Sequence, residues 1–216
     1  MIGHEISLGG GRSGCWNGRK MKAINGLFAA LIWSALPHAH AAGWEESLAK
    51  ANAGDVAAQV EVAESYAKGK GVARDMKQAV TWFTKAAEQG NTDAQMKLGA
   101  LYLGGKGLPK DGMESAKWYG MAAANGVPAA QLQVARMHLA GTGVPKDDVE
   151  AYKWATLANA GGEKQARAVI SLVRQRMNAA QIAKGETMVA DFLAAKKLSE
   201  TPIDTGVPKV APPLEE

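Results

Sequence analysis

Side chains that commonly do chemistry are scarce in this chain. Cys15 is the only cysteine, and three of the four histidines (His4, His38 and His40) fall within the first 40 residues, leaving His138 for the rest. A thiol or hydroxyl nucleophile needs a base beside it, and a zinc site needs several His, Cys or acidic ligands. One late histidine supplies neither, so no catalytic residue, metal site or cofactor is expected. An acid–base pair of carboxylates is the chemistry left open, since Asp and Glu number 21. Three of those acids, Asp75, Asp111 and Asp147, stand 36 residues apart, each with Gln or Glu three residues on (Gln78, Glu114, Glu150). That spacing predicts the capping box of a helix N-terminus. The Gly-x-Gly elements ahead of these acids follow helical patterns and not strands, so they are not phosphate loops.

The same step of 36 relates Gly71, Gly107 and Gly143, the tryptophans Trp82, Trp118 and Trp154, and the pairs Ala58-Gln59, Ala94-Gln95 and Ala130-Gln131. A constant period without insertions indicates units that bury their apolar faces on one another. Each unit reads as two helices. Ala58, Val62, Ala63 and Tyr66 make one stripe of a 3.6-residue period in the first, and glycines end it. Ala79, Trp82, Phe83, Ala86 and Ala87 make the stripe of the second. Tryptophans at one position in every unit read as core and not as a ligand cage.

The pattern A-x-x-x-[LV]-[GA]-x-x-Y-x-x-G-x-G-[VL]-x-x-D, followed by W-x-x-x-A and G, resembles the Sel-one-like repeat (SLR) family, relatives of the tetratricopeptide repeats. Full units span 55–90, 91–126 and 127–162. The stretch 47–54 resembles the end of a preceding second helix, and 163–177 one more first helix. A closing helix capped by Asn178 is expected to bury Ile182, Val189, Phe192 and Leu193, so that 163–197 forms a degenerate repeat and cap. Departures from the pattern are His138 for Tyr, Asn159 for Ala and Ser115 for Ala. The resemblance implies an all-α fold, an α/α solenoid of stacked 36-residue helix-loop-helix repeats with a C-terminal capping helix. It also implies a non-catalytic protein–protein interaction scaffold that binds a partner protein or peptide on a concave face. A cysteine-rich branch of the family is associated with β-lactam binding or hydrolysis, through paired cysteines absent here. A peptidoglycan- or β-lactam-binding protein, even a hydrolase, is therefore the alternative.

The flanks read differently. Residues 21–41 carry Lys22, an apolar run from Ile24 to Leu36 and Ala39-His40-Ala41, the pattern of a secretory signal cut after Ala41. The glycine-rich residues 1–20 read as an extension ahead of the true start at Met21. Residues 198–216 hold four prolines without apolar periodicity and read as a disordered tail. The expected location is periplasmic or secreted, with no membrane span in the mature chain, since the apolar run is shorter than the ~20 residues a span needs. The net charge of +4 and pI near 9.1 do not indicate nucleic acid. Four basic residues and one acid precede Ala42, leaving 21 basic against 20 acidic for the remainder.

First-helix positions free of the packing pattern are the candidates for partner contact. They are Glu61 and Glu64 in the first unit, Lys97 and Leu101 in the second, and Gln133, Arg136 and Met137 in the third, with Leu101 and Met137 as apolar anchors. A monomer holding an envelope protein or peptide is the expected working form.

Overall fold

The computed structural model describes residues 36–200, and side chains within 43–197. Residues 1–35 and 201–216 lie outside the described residues, and with them the expected extension, most of the expected signal and nearly all of the expected tail. The chain divides at His40/Ala41 into two units, and the packing described below is that of the second. The described residues hold α1 (Leu36–Asn52), α2 (Val56–Lys68), α3 (Met76–Glu88), α4 (Thr92–Gly104), α5 (Gly112–Ala124), α6 (Pro128–Ala140), α7 (Asp148–Ala160), α8 (Ala166–Arg174) and α9 (Ala179–Glu200), and no strand. Pairs α2/α3, α4/α5 and α6/α7 are the three repeats, each packed on the next. The expected solenoid order is therefore present. The buried stripes of α3 and α5 are as expected, whereas in α7 Trp154 is only partly buried, a correction to its expected core position. Alanines at 79, 86, 87, 122, 123, 151, 155 and 158 let backbones approach.

Helix starts differ from expectation in one respect. The Asp75 carboxylate accepts from the Lys77 and Gln78 amides, Asp111 from Met113 and Glu114, and Asp147 from Val149 and Glu150. The reciprocal half of a capping box is not made. The N–H of Asp75 instead donates to the Tyr66 carbonyl at 3.0 Å, that of Asp111 to Tyr102 at 3.0 Å, and that of Asp147 to His138 at 3.1 Å. Those bonds close the glycine loop across its base, and the carboxylates of Glu114 and Glu150 turn to Lys117 and Lys153. Among the described residues a full reciprocal box forms only at α9, where Asn178 and Gln181 exchange two bonds of 2.9 Å.

The recurrent loop glycine has two causes. Gly107 and Gly143 take the left-handed conformation, with φ of 81° and 71°, which L side chains resist. Each also lies on the first residue of the preceding second helix. A Cβ on Gly107 would come 2.5 Å from Met76 Cγ, and one on Gly143 would run into the Gly112 carbonyl. Loops thus nest backbone against helix N-terminus.

Between the helices of successive units runs a series of buried amides. Gln59, Gln95 and Gln131 are at most 4% exposed within the apolar stripe. Each donates its Nε2 to the carbonyl eight residues earlier, at the end of the preceding second helix: Ala51 (3.2 Å), Ala87 (3.0 Å) and Ala123 (3.2 Å). Gln89 and Asn125, thirty residues further on, donate back to the Oε1 of Gln59 and Gln95. At the third position that residue is Gly161, which has no side chain to offer. The first bond also shows that α1 ends as a second helix does, as the resemblance of 47–54 implies.

Departures within repeats compensate locally. Ser115, fully buried, donates to the Gly99 carbonyl at 2.8 Å. Gly99 leaves room for Tyr119, whose ring would lie 2.8 Å from a Cβ there. His138 Nδ1 lies 3.2 Å from the Pro145 carbonyl, tying the third loop to its helix.

The fourth unit is shorter than expected: α8 begins at Ala166 instead of Glu163 and lacks a side-chain cap. The α9 helix packs on α7, with Gly185 against Tyr152 and Phe192 edge-on to Trp154 at 5.5 Å. Its inward face therefore runs through Ile182, Gly185, Val189 and Phe192. Leu193 falls one step off that face and is 49% exposed, correcting its expected burial.

A test of the amide series is Gln95→Glu. The carboxylate would be isosteric but would set an acceptor against the Ala87 carbonyl in a buried site. It should cost at least ~2 kcal/mol in denaturant unfolding at pH 7. The exposed Gln78→Glu should stay within about 0.5 kcal/mol. Equal stability of the two variants would refute the bond.

Candidate functional site

The hollow that gathers three of the seven expected contact residues lies between α2 and α4, close to 290 Å³ in volume. Phe83 and Leu101 form its floor with Ala67 and Ala100, and Glu64, Lys68, Lys97 and Lys106 carry its charge. Glu64 holds the centre. Its carboxylate takes Lys68 one turn along α2 at 2.5 Å and Lys97 across the interface at 2.9 Å. The hydrogen bond from Lys68, then that from Lys97, pulls its pKa down to about 2, with partial burial opposing. The Lys97 ammonium stands 5.9 Å from the Phe83 ring centroid, at the outer limit of a cation–π contact. Lys106 has no ion-pair partner among the described residues.

Why the hollow is charged here and not one repeat on is legible from the 36-residue step. At the α4/α6 interface the counterparts of Glu64 and Lys68 are Ala100 and Gly104, and that of Lys97 is Gln133. The counterpart of Leu101 is Met137, which is 4% exposed and packs with Tyr119 and Val134. Met137 is therefore core and not a partner anchor, a correction to the expected set. Of the remaining candidates, Glu64, Lys97 and Leu101 come together, while the others serve neighbouring interfaces. Glu61 accepts from the Ser47 hydroxyl on α1 at 3.2 Å, Arg136 donates to Gln165 at 2.7 Å, and Gln133 sits half-buried on α6. Sequence reasoning missed Phe83, Lys68 and Lys106. The first looked like plain core, and the other two lie at the helix end and in the loop, beyond the apolar stripe that defined the face.

Trp82 and Trp118 are buried core, as expected, and Trp154 is covered in part by Phe192. No group of three His, Cys, Asp or Glu among the described residues is arranged to hold a metal ion. No described helix is long and apolar enough to cross a membrane. What the arrangement can do is grip one side chain against Leu101, Ala67 and Ala100, backed by the buried Phe83 ring, beneath a rim of ammonium groups.

Stacked helical pairs at constant period, with a side-chain-sized hollow between first helices, define a helical-repeat interaction scaffold. The Sel1 repeat family matches residues 56–91, 92–127 and 128–163, half of the 216 residues, and the chain belongs to that family. The matched units start one residue after those drawn from the sequence. A solved Sel1 repeat protein from Oxalobacter formigenes is 37% identical, with a TM-score of 0.54, over 59% of this chain and 96% of that one. A protective antigen present in uropathogenic Escherichia coli strains, displaying an SLR fold, aligns at 24% identity and a TM-score of 0.46, over 80% of this chain and 45% of that one. No curated protein matches significantly. Sel1-repeat proteins generally mediate protein–protein interaction and are typically non-catalytic.

The Glu64 pair predicts a pH dependence. Its folded pKa, about 2, lies below the ordinary carboxyl value of 4.5. The ionised carboxylate therefore contributes stability above pH 4.5, and that contribution is lost as pH falls towards 2. The side chain is about one-third exposed, which limits the effect to about 1 kcal/mol or less. Glu64→Gln should be slightly less stable than the parent at pH 7 and equal to it near pH 2, by denaturant unfolding. A gap that widens in acid would contradict the ion pairs.

Proposed function

We propose that this chain is an exported, monomeric adaptor that seats a segment of an envelope protein in the hollow between α2 and α4. The observation that carries the reading is the hollow's composition, an apolar floor of Phe83 and Leu101 under a rim of three lysines and one carboxylate. Its volume lies just below the range of small-molecule pockets, about 300–1,000 Å³, and suits a single anchoring side chain of a longer partner. Aromatic and aliphatic anchors of that kind dominate binding energy, while the surrounding charges set encounter rate and choice of partner. Export rests on the apolar run and small-x-small end within 21–41. The adaptor role rests on the family's general behaviour, together with the lack of a catalytic pairing for His138.

A photo-crosslinking residue at Ala100, on the hollow's wall, should capture a defined protein in the native host. One at the exposed Thr81 of α3 should not. Lys97→Glu should reduce the Ala100 adduct about tenfold, the equivalent of 1.4 kcal/mol. Capture at Thr81 alone, or an Ala100 adduct unmoved by Lys97→Glu, would place the contact elsewhere. N-terminal sequencing of the purified native protein should begin at Ala42; an N-terminus at Met1 or Met21 would overturn export by a cleaved signal.

A further inference from the structure

The hollow has a candidate occupant in its own chain. Its lining carries three ammonium groups against one carboxylate, and that carboxylate is already shared between two of the three. The segment 201–216, TPIDTGVPKVAPPLEE, has the complementary balance: Asp204, Glu215 and Glu216 against Lys209. At its end an aliphatic residue, Leu214, directly precedes the two glutamates. An apolar floor with a cationic rim fits that order of groups. We propose that segment 201–216 docks in the α2/α4 hollow of its own chain, with Leu214 on the Phe83–Leu101 floor and Glu215 and Glu216 against Lys97 and Lys106.

Reach permits it. Lys196 near the end of α9 donates to the Asn125 carbonyl at 3.4 Å, which brings α9 to the C-terminal end of α5. From there the hollow is about one 13-residue helix length away, roughly 20 Å at 1.5 Å per residue, plus one or two helix spacings of about 10 Å. The fourteen residues to Leu214, at about 3.1 Å each in an extended, proline-favoured form, cover roughly 43 Å. Four prolines lower the entropy lost on ordering such a segment. Tethering adds an effective concentration in the millimolar range, so a weak contact suffices. Docking of this kind would make the hollow self-occupied, and a partner segment would have to displace it. The inference stands on the hollow and the segment alone and does not depend on any partner being found.

Disulfide trapping in the full chain tests it. With Cys15→Ser as background, Ala100→Cys and Leu214→Cys should form an intramolecular disulfide under mild oxidation, read as a faster-migrating monomer. Thr81→Cys with Leu214→Cys should react at least about tenfold more slowly. Adding Lys97→Glu and Lys106→Glu should lower the yield several-fold, and Glu215→Lys with Glu216→Lys in that background should restore it. Circular dichroism of each variant checks that the helices persist. Equal trapping at positions 81 and 100, or trapping indifferent to charge reversal, would overturn the proposal. Disulfide-linked dimers in place of the monomer band would overturn docking in cis and assign the hollow to a second copy.

Discussion

A primary amide buried at the same point of each repeat constrains this stack more tightly than the apolar packing around it. Hydrophobic contact is non-directional and would tolerate a sliding of one helical pair over the next. The amides of Gln59, Gln95 and Gln131 do not tolerate it, because a buried amide without a partner costs a few kcal/mol. The Nε2 of each is satisfied only when the carbonyl ending the preceding second helix stands in place. For Gln59 and Gln95 the returning bonds from Gln89 and Asn125 then tie the far end of the next second helix to the same residue. Three helices are held at one side chain.

That register decides what meets across the interface between first helices. With it set, Glu64 faces Lys97, 33 positions away, while Leu101 faces the ring of Phe83, and a hollow remains where Ala67 and Ala100 supply too little volume to fill it. One repeat further, the same register brings Met137 over Tyr119, and at the interface after that Arg136 reaches Gln165. The backbone frame repeats, and the chemistry of each interface follows from a few side chains. Individuality in such an array therefore resides in small residues as much as in large ones, since Ala100 lines the hollow whereas its counterpart Arg136 reaches across to Gln165.

Much of this was legible before any coordinate. An unbroken 36-residue period gave the helices, their caps and the order of units, because propensity, capping and apolar stripe all pointed the same way. The meaning of Gln59, Gln95 and Gln131 was not legible, although their recurrence was plain. A polar residue inside an apolar stripe has no visible partner when that partner is a backbone carbonyl. The Asp75, Asp111 and Asp147 boxes were half read for a related reason, since the loop carbonyls that take their amides leave no mark in residue type. Met137 and Leu193 were misplaced because a stripe of 3.6-residue period does not say how deep its margins lie. Of the contact face, Glu64, Lys97 and Leu101 were found because they broke the repeat pattern, whereas Phe83 was hidden by conforming to it.

Side-chain amide exchange measured by NMR tests the central constraint most directly. The Nε2 protons of Gln59, Gln95 and Gln131 should exchange far more slowly than those of the exposed Gln78 and Gln181, and should lose that protection together as the fold melts. Rates for all five glutamines near the free-amide value would show that the buried rungs do not hold the register on which the hollow depends.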